Sequence, residues 1–78
     1  ELKPGQHILE IGCGWGGFAA YAAAKYDVRI TGITISPSQL AYAQARIVQA
    51  GLADRVKLEL CDYRDIAGEF DHIVSIEM

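Results

Sequence analysis

Four glycines within six residues, directly after a short apolar run, constrain the fold of this chain more than any other feature. The run His7–Ile11 (HILEI) contains branched apolar side chains and is typical of a buried parallel strand. The cluster 12–17 (GCGWGG) follows at once, and the alanine-rich segment 17–25 then carries apolar residues at helical spacing. The pattern predicts a strand, a tight glycine loop and a helix.

A second strand and a second helix follow. Residues 28–35 are rich in Val, Ile and Thr, and Gly32 inside this run indicates a close approach to the backbone. The segment 36–39 (SPSQ) predicts a helix start, with a capping hydroxyl, proline at the first helical position and Gln39 three residues after the cap. We expect the buried face of this helix to comprise Leu40, Ala43, Ile47 and Ala50, with Gly51 as its left-handed C-terminal residue.

The last part of the chain predicts two further strands. Residues 56–60 alternate apolar residues with Lys57 and Glu59, which favours an edge strand, and 70–76 reads as a final strand after the polar connection 62–69. The order β-α-β-α-β-loop-β predicts an α/β fold, a partial Rossmann-like doubly wound parallel sheet with strand order 3-2-1-4. Because nothing follows to complete the sheet, we expect residues 1–78 to be a fragment of a single larger domain.

Composition excludes several classes of function. The net charge of −3 gives no basic field for nucleic acid, and no apolar run approaches the roughly 20 residues that cross a bilayer. Cys13, Cys61 and the two histidines lack the spacing of metal ligands, so we predict no metal site. Cys13 and Cys61 should remain reduced in a soluble, cytoplasmic protein.

The glycine loop is the candidate ligand site, because ligands of open parallel sheets bind at the carboxyl ends of the strands. Free amides at the following helix start favour a nucleotide-like cofactor, although a tight turn without a ligand is the alternative. Gly12, Gly14 and Gly17 also satisfy the GxGxxG spacing of dinucleotide-binding proteins. That class is disfavoured because residues 30–36 contain no acid to hold a ribose.

Glu10 is a carboxylate inside an otherwise apolar strand, which is costly unless it is paired. The sulfonium and ammonium groups of S-adenosylmethionine would offer cationic partners, directly or through water. The alternatives are that Glu10 faces the surface or pairs with a loop amide.

Four segments carry a resemblance to a known family. They occur in the order ILEIGCGWGGFA, TGITISPSQ, CDYRD and FDHIVSIEM. In this order and spacing the chain resembles the S-adenosylmethionine-binding part of the cyclopropane-fatty-acyl-phospholipid synthase family, along essentially its whole length. The resemblance implies a truncated class I methyltransferase core.

The resemblance also implies the residues that hold the cofactor. The methionine part would be wrapped by the segment that contains Glu10, Gly12, Cys13, Gly14, Trp15 and Gly16. The ribose and adenine would lie near Thr34, Ile35, Gln39, Asp62 and Tyr63.

Several of these residues have plainer alternative roles. Trp15 would pack on the first helix, and Cys13 would be a small packing residue. The Gln39 side chain would return to the cap amide of its own helix, and Asp62 would be a turn residue.

The implied reaction adds a methylene from S-adenosylmethionine across a cis double bond of a phospholipid acyl chain. Bound bicarbonate is the base in this family, and its ligands and the lipid-binding helices lie outside this chain, so we predict no catalytic residue within it. The alternative is a related C- or N-methyltransferase acting on a fatty acid or small amine. A non-catalytic module that assembles with itself is the alternative from another class. Because the last strand and one sheet face would be exposed, we expect the isolated 78-residue chain to be oligomeric, exchanged or only partly folded.

Overall fold

A parallel sheet covered by two helices forms the core of the fold. The computed structural model of the protein describes residues 2–75. Within that range the strands are ordered β3-β2-β1-β4, and every neighbouring pair is parallel. The elements in chain order are β1 (His7–Ile11), α1 (Gly17–Lys25), β2 (Arg29–Thr34), α2 (Pro37–Gln49), β3 (Val56–Leu60), a 3-10 turn (Tyr63–Asp65) and β4 (His72–Val74).

This arrangement confirms the predicted fold class and strand order, with β3 at an edge. The last strand is shorter than predicted. Phe70 lies outside β4 and packs its ring against His7 with the ring centroids 4.7 Å apart. The predicted strand residue Ile76 lies outside the described residues.

The hydrophobic core lies between the sheet and the two helices. Ile8 of β1 and Ile30 of β2 pack there with small residues of α1 and with Ala43 and Ile47 of α2. Alanines let the helix backbone approach the sheet closely, which explains the alanine-rich composition of α1. The connection between β3 and β4 passes over the other face of the sheet, where it contributes Phe70 to the contact with His7.

The start of α2 agrees with the prediction, and its buried face differs at one position. Ser36 Oγ accepts a hydrogen bond from Gln39 N at 3.2 Å, and Gly51 has a φ of +73°. Ala50, however, is exposed, and the buried side chain at this end is Leu52. The predicted face is wrong at Ala50 because α2 ends there and the chain turns back to the core at Leu52.

Gly32 confirms the predicted close approach in the middle of β2. A Cβ built on Gly32 would lie 2.7 Å from Leu58 Cδ2 and 3.0 Å from Cys13 Cβ. The missing side chain therefore makes room for the cysteine of the glycine loop and for a leucine of β3. Gly32 couples the position of the loop to the packing of the sheet.

We predict that Gly32→Ala destabilises the full-length protein by about 1–3 kcal/mol, because the added methyl overpacks this contact. Urea unfolding measures the change. Gly17→Ala is the matched control, since a Cβ there would meet only Arg46 Nη1 at 3.7 Å. Leu58→Val should partly restore the stability of Gly32→Ala, and equal stabilities of the Gly32→Ala and wild-type proteins would contradict the packing argument.

Candidate functional site

A pocket of about 470 Å³ lies at the carboxyl ends of β1, β2 and β3. It brings together most of the residues that the sequence predicts for a cofactor site: Gly12, Gly14, Thr34, Ile35, Gln39, Asp62 and Tyr63. Ile11, within the segment 10–16 predicted to wrap the methionine part, also lines the pocket, and sequence reasoning missed four further lining residues: Ile33, Ser36, Cys61 and Arg64. The sequence pointed to these residues only through their position, because each is adjacent in the chain to a predicted site residue.

A larger hollow of about 520 Å³ lies on the sheet face opposite the helices, under the connection between β3 and β4. Cys61 lines both spaces. The glycine loop lines only the smaller pocket, which is therefore the candidate site.

Two hydrogen bonds fix the glycine loop to the end of β2. The amides of Gly12 and Cys13 both donate to the carbonyl oxygen of Ile33, at 3.0 and 2.8 Å. The sharp turn that follows uses a positive φ at every second residue, +77° at Gly12, +56° at Gly14 and +88° at Gly16. These backbone angles favour glycine whether or not a ligand is bound.

The third glycine of the dinucleotide pattern does not have its usual role here. That glycine usually allows close packing of the helix, yet a Cβ on Gly17 would meet only Arg46 Nη1 at 3.7 Å. The close packing falls on Gly16 instead, where a Cβ would lie 3.0 Å from Ala43 Cβ of α2. The first turn of α1 has glycine as its cap, and no side chain within residues 2–75 caps it.

Trp15 lies outside the lining of the pocket. Its ring packs edge-on against Tyr42 of α2 with a centroid distance of 5.3 Å, and its carbonyl accepts from Arg46 Nη1 at 3.4 Å. The ring therefore packs on α2, and the alternative that Trp15 packs on α1 stays a prediction.

Neither cysteine is poised to react. Cys13 is buried against Gly32, and burial, together with the negative charge of Glu10, raises the pKa of its thiol to about 11. Burial also raises the pKa of Cys61, with smaller contributions from neighbouring carboxylates. Cys13 and Cys61 form no disulfide in the structure, and that they remain reduced stays a prediction.

Glu10 is buried on the helix side of β1, with an exposed fraction of 2%. It lies in register between Gly32 of β2 and Val74 of β4, and it is not among the residues that line the pocket. The alternative that Glu10 faces solvent is therefore wrong.

The side chain of Gln39 does not return to the cap of its own helix. Ser36 N donates to Thr34 Oγ1 at 3.1 Å, and Thr34 Oγ1 donates in turn to Gln39 Oε1 at 3.3 Å. Only half of the predicted capping box forms, the bond from Gln39 N to Ser36 Oγ. Thr34 Oγ1, rather than the Gln39 side chain, accepts the hydrogen bond from Ser36 N. The carboxamide of Gln39 therefore stays at the pocket.

Asp62 has its alternative role as a turn residue and also lines the pocket. Its Oδ1 accepts from Arg64 N at 2.9 Å and from Arg64 Nε at 3.1 Å, while Oδ2 accepts from Arg64 Nη2 at 2.8 Å. These bonds lower the pKa of Asp62 to about 2, so the carboxylate is ionised at neutral pH. An ionised carboxylate has about four acceptor positions, so the Oδ2 atom keeps room for one further donor.

Two large apolar side chains form exposed walls of the pocket. Ile35 is 78% exposed and Tyr63 is 58% exposed, and both belong to the lining. A flat heteroaromatic ring placed between these strand ends would cover apolar surface on both. The pocket thus combines apolar walls with backbone amides, a carboxamide and a carboxylate.

Two further observations concern what residues 2–75 do not contain. No helix in this range is long and apolar enough to cross a bilayer. The same residues contain no group of His, Cys, Asp and Glu side chains that could hold a metal ion.

Comparison with known proteins places these features in a family. The model of the family described as mycolic acid cyclopropane synthetase matches residues 1–78. The cyclopropane-fatty-acyl-phospholipid synthase of Escherichia coli K12 is 50% identical over 78 residues, which are 100% of this chain and 19% of that protein. The chain thus spans about a fifth of the length of the curated relatives that it matches.

Solved structures share the same arrangement. A cyclopropane synthase from Mycobacterium tuberculosis has a TM-score of 0.89 at 36% identity, covering 96% of this chain and 26% of its own. A coclaurine N-methyltransferase bound to N-methylheliamine and SAH has a TM-score of 0.89 at 32% identity, covering 99% of this chain and 23% of its own. With its strand order, its glycine loop and a family match over every residue, this chain belongs to the mycolic acid cyclopropane synthetase family of S-adenosylmethionine-dependent methyltransferases.

Proposed function

We propose that the pocket at the carboxyl ends of β1, β2 and β3 binds S-adenosylmethionine for a methyltransferase. The observation that carries this proposal is the meeting of three separately predicted segments around one pocket. These segments are the glycine loop, the turn from β2 into α2 and the start of the 3-10 turn. They lie far apart in the chain, and the parallel sheet brings their ends together.

The groups around the pocket fit the adenosine part of this cofactor. Asp62 Oδ2 has an acceptor position left for the exocyclic amine of adenine, and Tyr63 and Ile35 supply apolar surface for the ring. Gln39 supplies a carboxamide for the ribose hydroxyls. Dinucleotide-binding proteins usually hold the ribose with an acidic residue at the end of the second strand. The residues that line the pocket at the end of β2 include no Asp or Glu.

The methionine part would follow the glycine loop, where Gly12 and Gly14 line the pocket with backbone alone. The contacts predicted for Glu10, Cys13, Trp15 and Gly16 stay predictions. Gly16 and Cys13 support the loop through their packing against Ala43 and Gly32.

For the whole protein we propose the addition of a methylene across a cis double bond of phospholipid acyl chains. The similarity to the synthase of Escherichia coli supports this substrate class. S-adenosylmethionine supplies an electrophilic methyl group, and this chain contributes binding and orientation, which matter because an alkene is a poor nucleophile. The bicarbonate base and the acyl-chain contacts would be held by residues outside this chain.

A related C- or N-methyltransferase is the second candidate. The similarity to a coclaurine N-methyltransferase favours it. The same cofactor-binding segment is therefore compatible with acceptors of different chemistry. Within either candidate the cofactor and its pocket are the same.

The proposed cofactor is tested by titrating the full-length protein with S-adenosylhomocysteine in a calorimeter. We expect one binding site per chain and no heat from NAD at the same concentrations. Absence of binding at millimolar S-adenosylhomocysteine would reject the proposal.

The adenine contact is tested by changing both protein and ligand. We predict that S-inosylhomocysteine, in which a carbonyl replaces the exocyclic amine, binds the wild-type protein roughly tenfold or more weakly than S-adenosylhomocysteine, because the carbonyl faces a carboxylate. Asp62→Ala should remove most of this discrimination. Asp65→Ala, from the same turn but outside the pocket lining, is the matched control and should keep it. Unchanged discrimination in Asp62→Ala would exclude Asp62 as the adenine contact.

A further inference from the structure

We propose that Thr34 is a positioning residue, which acts on the cofactor by holding the carboxamide of Gln39 in its binding orientation. The proposal rests on the proposed function, since it concerns the same pocket. It assigns to the Thr34 hydroxyl a task different from direct contact with the ribose.

The hydroxyl proton of Thr34 is already used in a hydrogen bond to Gln39. The residue ends β2 and is 5% exposed. Its Oγ1 accepts from Ser36 N at 3.1 Å and donates to Gln39 Oε1 at 3.3 Å. A hydroxyl has a single proton to donate, so Thr34 cannot give a second hydrogen bond to a ligand while this arrangement holds.

The same bond determines which atoms Gln39 offers to the pocket. With Oε1 engaged by Thr34, the Nε2 group carries the donors that are available to a ligand. A hydroxyl oxygen of ribose is a suitable acceptor for Nε2. Within the proposed function, this acceptor is a ribose hydroxyl of the cofactor.

Hydrogen bonds fix both the backbone amide and the side chain of Gln39 in the absence of a ligand. Its backbone amide donates to the Ser36 cap at 3.2 Å, and its side-chain oxygen accepts from Thr34. A free glutamine side chain has much rotamer freedom, which binding would otherwise have to remove. Holding the side chain in advance lowers the cost of ordering it, so Thr34 contributes to affinity without touching the ligand.

A double-mutant cycle on the full-length protein tests this, with S-adenosylhomocysteine as the probe. We expect Thr34→Val to weaken binding roughly three- to tenfold, the value of one hydrogen bond, and Thr34→Ser to restore wild-type affinity. In a Gln39→Ala background, Thr34→Val should cause no further loss. An equal loss in both backgrounds would show direct contact with the ligand and overturn the proposal, as would wild-type affinity in Thr34→Val.

Two controls separate positioning from general damage. Thr31→Val removes another buried hydroxyl from β2, one that bonds to His7 Nε2 at 2.7 Å outside the pocket, and it should leave the affinity unchanged. If Thr34→Val unfolds below the assay temperature, Thr34→Cys replaces it in the cycle, because it differs from Thr34→Ser by one atom and its thiol is a weak donor.

Failure of the proposed function gives a different result. A wild-type protein that does not bind S-adenosylhomocysteine refutes the cofactor assignment, and the Thr34 proposal with it. Failure of the Thr34 proposal alone is seen in a protein that binds the probe normally.

Discussion

The convergence of two loop amides on one carbonyl oxygen holds the whole site together. Gly12 N and Cys13 N both donate to Ile33 O, so the glycine loop of β1 is attached one residue before the end of β2. Cys13 can reach this position only because Gly32 has no side chain. The Cys61 amide makes a comparable bond to Thr34 O at 2.9 Å, which draws the segment after β3 to the same strand. The end of β2 is thus the common support for the three segments that surround the pocket.

Local patterns in the sequence predicted most of the fold. β1, α1 and β3 have the bounds that hydrophobic patterning, alanine content and alternation indicate, and α2 starts where the serine and proline predict. There are two exceptions, with different causes. Phe70 fits a strand by composition but packs on His7, a tertiary contact that no pattern near Phe70 encodes. Ala50 continues the helical stripe, but its helix ends there, before the left-handed Gly51, and the chain turns back to the core at Leu52.

The sequence predicted most of the residues that line the site, but not the hydrogen bonds between them. Strand ends of a parallel sheet meet at one edge, so Gly12, Thr34 and Asp62 were expected together and line the same pocket. Which oxygen accepts from the Ser36 amide is decided by the folded geometry, and here Thr34 Oγ1 does so in place of the Gln39 carboxamide oxygen. The folded geometry likewise decides that Arg64 is the partner of Asp62. Such choices follow from the folded geometry, and they decide which polar atoms stay available to a ligand.

A crystal structure of the full-length protein with S-adenosylhomocysteine tests the central claim most directly. We predict the adenosine between Tyr63, Ile35 and Asp62, with Gln39 Nε2 donating to a ribose hydroxyl and the amino-acid part along the Gly12–Gly14 backbone. The claim is contradicted if the ligand occupies the hollow on the opposite face of the sheet, or if the pocket is filled by protein when the ligand is bound.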